Sequence, residues 1–328
     1  MPFGRIKADN QLFFLNTAKV FGVQSYSIDN TLGAYTIKYL GMGSEILNES
    51  FNSAQYADLS LTALMIYDDL IIPQATAPPF NVFILNNKND TAPYSLVSGY
   101  ISSYSAQFSP NQIPQINTSF RFYNNAGNIA TGNLDPNSIA QLSTISNSPI
   151  PAFNNQLANS NYINLSINES TGNRVLDFNF GISVDRVPIY NIGSRVPKRV
   201  DIVFPINVTC DIKFEADNSF INSPLSDFPQ NKNVQNLEVD VYSNLSNSPM
   251  GKYQFVNMTM ISNNQQINVD GNLTVTRKYR GYIYNYTDAS ATASAFLDFG
   301  FVASGPGFYY DWGSVALTAT SGIDWGNS

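Results

Sequence analysis

The chain has 328 residues, 43% hydrophobic and 13% aromatic, which is enough apolar surface for packed cores and excludes a disordered polypeptide. Only 12% of positions are charged, and 17 basic against 24 acidic side chains leave a formal charge of -7, which opposes tight, static binding to nucleic acid. There is no histidine and a single cysteine, Cys210, which removes Ser-His-Asp and Cys-His catalysis, an intramolecular disulfide and a cysteine-based zinc site.

Asn fills about one position in eight, so uncharged polar groups build the surface. The start, Met1-Pro2-Phe3-Gly4-Arg5, lacks the apolar core of a secretory signal, and no apolar run approaches a membrane span. Gly41-Met42-Gly43-Ser44 has glycines without the lysine or spacing of a phosphate loop and reads as a loop. Leu59–Ile66 alternates apolar and polar residues, as a half-buried strand does. Asp68-Asp69, ahead of Leu70-Ile71-Ile72-Pro73, is the one adjacent carboxylate pair; it reads as a turn entering a strand rather than as a hydrolase acid/base pair. Gln115–Tyr123 alternates again.

Asp135-Pro136 ahead of Ser138–Leu142 has the cap and first-turn proline of one short helix. From Pro136 to Asn168 no residue is charged, and this stretch reads as a long connection. Ile206, Val208, Cys210, Ile212 and Phe214 form one face of a strand and Asn207, Thr209, Asp211 and Lys213 the other, which makes Cys210 a small buried hydrophobe. Leu237–Tyr242 and Leu273–Tyr284 repeat the alternation. Two basic clusters, Arg195/Lys198/Arg199 and Arg277/Lys278/Arg280, lie among carboxylates such as Asp201 and Glu215 and suit ion pairing as well as phosphate contact. Beyond Tyr282 the chain is dense in aromatics. Tyr309, Tyr310, Trp312 and Trp325 are the candidate anchors of a subunit interface there.

Three blocks recur in one order. Phe21-Gly22-Val23 matches Phe180-Gly181-Ile182 at an offset of 159, Tyr35–Gly41 resembles Arg186–Gly193 at 152, and Tyr94-Ser95-Leu96-Val97 parallels Tyr253-Gln254-Phe255-Val256 at 159. The expected organisation is all-β: two tandem antiparallel sandwich or barrel domains with at most one or two short helices. Their expected bounds are a first domain over 1–134, a linker over 135–172, a second domain over 173–284 and a Gly/aromatic extension over 285–328.

Val23-Gln24-Ser25-Tyr26-Ser27-Ile28, Tyr190–Arg195 followed by Phe204–Thr209, and the hairpins Leu96–Phe120 and Phe255–Tyr279 resemble tail tube proteins of long-tailed bacteriophages. The turn Val269-Asp270-Gly271-Asn272-Leu273-Thr274 carries most of the likeness. The resemblance implies a non-enzymatic virion protein, assembled in the host cytoplasm and needing no cofactor or metal. It implies strands that join across neighbouring copies into a barrel lining a channel, and rings that stack through loops. Two tube domains per chain would give a trimer with pseudo-sixfold symmetry. Other virion proteins would be its partners and DNA only transient cargo, which an acidic lumen repels rather than retains. A double jelly-roll capsid protein, forming trimeric pseudo-hexagonal capsomers, is the alternative that the same duplication and aromatic content fit. A glycan-binding sandwich and a glycoside hydrolase fit less of the sequence.

Overall fold

A computed structural model describes residues 11–15, 18–31, 34–38, 48–52, 54, 56–65, 80–85, 94–110, 112–123, 127–128, 158–167, 170–171, 175–194, 196–215, 234–243, 249–267, 272–283 and 307–311. Most of these lie in strands and none in a helix, so the protein is all-β. The first ten strands are β1 (Leu12–Leu15), β2 (Ala18–Val20), β3 (Val23–Thr31), β4 (Ala34–Lys38), β5 (Asn48–Asn52), β6 (Tyr56–Leu64), β7 (Phe80–Leu85), β8 (Tyr94–Phe108), β9 (Gln115–Phe122) and β10 (Gly127–Asn128). The next ten are β11 (Ala158–Ile167), β12 (Ser170–Thr171), β13 (Val175–Ser183), β14 (Arg186–Ile189), β15 (Arg199–Ile202), β16 (Ile206–Glu215), β17 (Val234–Ser243), β18 (Pro249–Gln266), β19 (Thr274–Ile283) and β20 (Gly307–Asp311).

The second ten retrace the first. In one half the order of pairing is β3-β6-β9-β8-β7-β1-β2, with β10 on β8; in the other it is β13-β16-β19-β18-β17-β11-β12, with β20 on β18. Hairpins β4–β5 and β14–β15 stand apart as small sheets in corresponding places. Registers match as well as order. Ile28↔Leu59 in β3–β6 corresponds to Phe180↔Cys210 in β13–β16, and Leu59↔Phe120 to Cys210↔Tyr279. Register shifts recur at equivalent points: Val23/Ser25 and Val175/Asp177, Phe80/Val82 and Gln235/Leu237, Ile101/Ser103 and Met260/Ser262. A bulge re-aims a strand and is placed by the surrounding fold, so three shared bulges mark one architecture used twice.

That architecture follows from alternation. β6 and β9 bury every second residue, Leu59, Leu61, Ile116 and Phe120 among them, while Ser60, Thr62 and Ser119 face outward. The long strands β8 and β18 change pairing partner part-way along their length. The amino-terminal half of β8 pairs with β7, its carboxy-terminal half with β9, and the change comes where Ser98 holds φ at 60° within the Phe80/Val82 shift. Folding back brings distant strands face to face: Phe180 of β13 lies 4.9 Å from Tyr253 and 5.0 Å from Phe255 of β18, ring centre to ring centre.

The structure revises several expectations. Residues 158–167 and 170–171, read as part of a connection, form β11 and β12, because Ile163, Leu165 and Ile167 alternate with Asn164 and Ser166 in a stretch whose lack of charge disguised the period. Part of the carboxy-terminal extension is strand β20. The first sequence match is out of register: the pairing equates Phe180 with Ile28 at an offset of 152, not with Phe21. The two repeats also share a 16-stranded sheet and one contiguous hydrophobic core that includes Leu15, Phe120, Phe180 and Tyr253. The helix expected at 135–142, Asp68-Asp69 and the loop at 41–44 lie outside the described residues.

Gly99 shows how tightly the core is filled. A Cβ added there would sit 2.2 Å from Phe122, the residue opposite it. At the corresponding positions of the second repeat stand Met258 and Gly281, the same large and small pair with its members exchanged, and Met258 is buried. Gly99→Met is expected to cost about 1–3 kcal/mol through overpacking. Gly99→Met/Phe122→Gly should cost at least ~1 kcal/mol less than the two single changes summed. Urea unfolding of the four proteins measures this; additive costs would show that the two positions do not share one volume.

Candidate assembly interface

The two repeats meet strand to strand. β13, the first strand of the second repeat's seven-strand series, pairs with the carboxy-terminal half of β8 in the register Phe178↔Phe108, Phe180↔Ala106, Ile182↔Tyr104 and Ser183↔Ser103. Val184 N–H donates to the carbonyl of Ser102 at 2.8 Å, so the backbone groups of residues 178, 180, 182 and 184 face β8 and those of the alternate residues face β16. Side chains seal the joint. Phe108 packs on Phe178 at 5.8 Å and on Phe180 at 6.4 Å, and Tyr104 on Phe180 at 5.8 Å.

Hairpin β14–β15 then lies along the first repeat. The Arg186 Nε donates to the carbonyl of Ile101 at 3.1 Å, and its guanidinium covers the Tyr100 ring at 4.9 Å. Tyr100 meets Tyr123 edge-on at 5.9 Å, and with Val200 of β15 these form a small apolar cluster of their own. Beside it Arg121 makes a two-pronged ion pair with Asp58, at 2.7 and 2.9 Å, and lies 4.7 Å over Tyr56. Burial pushes the Tyr123 hydroxyl above its ordinary pKa, as it does that of Tyr190.

Two edges corresponding to this joint are open among the described residues. β3, the counterpart of β13, pairs with β6 on one side only. β18, the counterpart of β8, pairs with β17 as far as Thr259, and from there to Gln266 it pairs with β19 alone. Ile261 and Ile267 flank that stretch with 49% and 72% of their surface exposed. Between them, Asn263 Oδ1 is buried with no hydrogen-bond partner among the described residues.

Of the four aromatic anchors read from sequence, Tyr309 and Tyr310 belong to β20, where their backbones pair with Gln254 and Tyr253; Trp312 and Trp325 lie outside the described residues. The basic clusters are engaged within the chain: Arg199 with Asp201 at 3.2 Å, Lys278 with Asp211 at 3.7 Å, and Arg277 5.2 Å over the Phe214 ring, while Arg195 is outside the described residues. Cys210 is fully buried in β16. Among the described residues no three carboxylates or thiols cluster as metal ligands. A shallow depression of about 50 Å³ at the joint is lined by Phe108, Ser109, Leu165, Asp177 and Phe178. The sequence reading missed the open edges because a free edge is a property of pairing order, which alternation along one strand does not encode.

No protein-family model matches the chain, and no curated protein is significantly similar to it.

Removing the Arg186 contacts by Arg186→Leu is expected to lower unfolding stability by about 1–3 kcal/mol, read from the urea midpoint. Alkaline pH should act through buried acids. Burial, with Asp211 nearby, drives the Cys210 thiol well above its ordinary 9.0, and Tyr123 rises from 10.0. Both groups ionise more readily in the unfolded chain, so the unfolded state loses protons first and stability falls as pH rises past 9.0. The melting temperature should therefore hold steady below that pH and drop above it, less steeply in Tyr123→Phe; an unchanged slope would show that Tyr123 takes no part.

Proposed function

We propose that this chain is a structural virion protein that assembles with copies of itself, a tail tube subunit forming a channel through which phage DNA passes. The observation that carries this reading is the β8–β13 joint: one copy of the module receives a second copy as the next strand of its own sheet. A fold that extends its sheet by adding itself is suited to polymerising, because every added module supplies the backbone partners the previous edge lacked.

The charge balance agrees with this role. With a formal charge of -7, the assembly would repel a phosphate backbone moving through it rather than release counterions and hold it. The chain is read as a non-enzyme that needs no cofactor, whose partners are its own copies and other virion proteins.

Negative-stain electron microscopy of the purified protein at rising concentration tests the assignment. Rings or hollow filaments are the expected result. Closed shells or isolated hexagon-like trimers would instead identify a capsid protein, and a monomer at every concentration would end both virion readings.

A further inference from the structure

We propose that β3 of one copy adds to the open edge of β18 in the next, in the register that β13 takes on β8. The proposal rests on the self-assembly reading and names its surface. Because the two repeats match in order, register and bulges, the relation between the joint's two partners can be transferred residue by residue. Phe178, Phe180 and Ile182 correspond to Tyr26, Ile28 and Asn30. Ser102, Tyr104, Ala106 and Phe108 correspond to Ile261, Asn263, Gln265 and Ile267.

The intermolecular partners are then Tyr26 with Ile267, Ile28 with Gln265, and Asn30 with Asn263. These are the residues of β3 whose backbone groups point away from β6, by the same alternation that turns their counterparts toward β8. Between them fall Ser27 with Gln266 and Asp29 with Asn264, the pairs that bring side chains closest in an antiparallel ladder.

Three features of the isolated chain agree with an occupied edge. Ile261 and Ile267, both largely exposed, would be covered at the two ends of the new ladder. Asn263 Oδ1, buried and without a partner among the described residues, sits opposite Asn30. Asn30 is exposed and its amide already reaches across to the hydroxyl of Tyr94 at 3.2 Å, so it belongs to a polar group with donors at that edge. The surfaces joined are different, β3 on one copy and β18 on the other, so the contact is head to tail. Repeating one operation closes a ring or continues as a helix.

Paired cysteines test the register. Asp29→Cys/Asn264→Cys places thiols on directly opposed, non-hydrogen-bonded positions, where Cα atoms lie about 4.5 Å apart and a disulfide forms without strain. Cys210, fully buried, does not compete. Mild oxidation should convert the protein to covalent oligomers that dithiothreitol returns to single chains on a denaturing gel, while Ser27→Cys/Asn264→Cys, two residues out of register, should remain largely uncross-linked. Asn30→Pro removes an N–H that faces the open edge and none that faces β6. It should leave the melting curve of the single chain within a few degrees and abolish assembly in light scattering.

Assembly without cross-linking at Asp29/Asn264, or assembly undiminished in Asn30→Pro, would overturn the proposed edge and leave the self-assembly reading standing. A wild-type chain that stays monomeric would overturn both.

Discussion

Every strand at the margin of a sheet carries backbone donors and acceptors that need partners, and this protein is organised around where those partners come from. Inside the chain the margin of the first repeat is completed by the second, through β13 on β8. Once that joint forms, the core runs across it, with Phe108 stacked on Phe180 and Phe180 in turn on Tyr253. Backbone pairing sets the register and aromatic burial fixes it, since a slip of one residue would turn Phe178 and Phe180 out of the core. One 16-stranded sheet therefore spans both repeats.

The repeats keep volume and pairing rather than identity. Leu59 and Cys210 fill equivalent places, as do Ile28 and Phe180, and the Gly99/Phe122 pair returns as Met258/Gly281. A packed interior constrains the sum of neighbouring volumes more tightly than the shape of any one side chain, so two copies can drift apart residue by residue while retaining register and bulges. Bulges persist because each redirects a strand, as at Phe80/Val82 where β8 passes from β7 to β9, and losing one would shift every residue beyond it to the wrong face.

This drift explains what the sequence reveals. Strands β6, β9, β16 and β19 are legible because one face is apolar and the other polar, and Cys210 is legible as core because its neighbours alternate. The Tyr94/Tyr253 match is in register: Tyr94 pairs with Ile84 of β7 as Tyr253 pairs with Val239 of β17. The Phe21/Phe180 match fails because Phe180 packs where Ile28 does in the first repeat, so the shared Phe-Gly pair is incidental. β11 and β12 are missed because Asn, Ser and Thr serve equally in loops and on the outer face of strands, and local composition separates the two poorly. The joint and the open edges need knowledge of which strands pair, a long-range property that no window of ten residues contains.

The internal joint and its proposed external counterpart differ in chemistry in the way their lifetimes require. Inside, the paired residues are Phe108, Ala106 and Tyr104 against Phe178, Phe180 and Ile182, all buried, and they never part while the chain is folded. At the open edges stand Ser27, Asp29 and Asn30, with Ile28 among them, on one side and Asn263, Asn264, Gln265 and Gln266 on the other, with Tyr26 and Ile267 at one end. A newly made chain has to meet water before it meets its neighbour, and an edge as apolar as the internal joint would pair with any other exposed strand. A polar edge costs affinity per contact. Repetition offsets that cost: in a ring or filament each chain is held at two edges, and dissociation requires both to open at once.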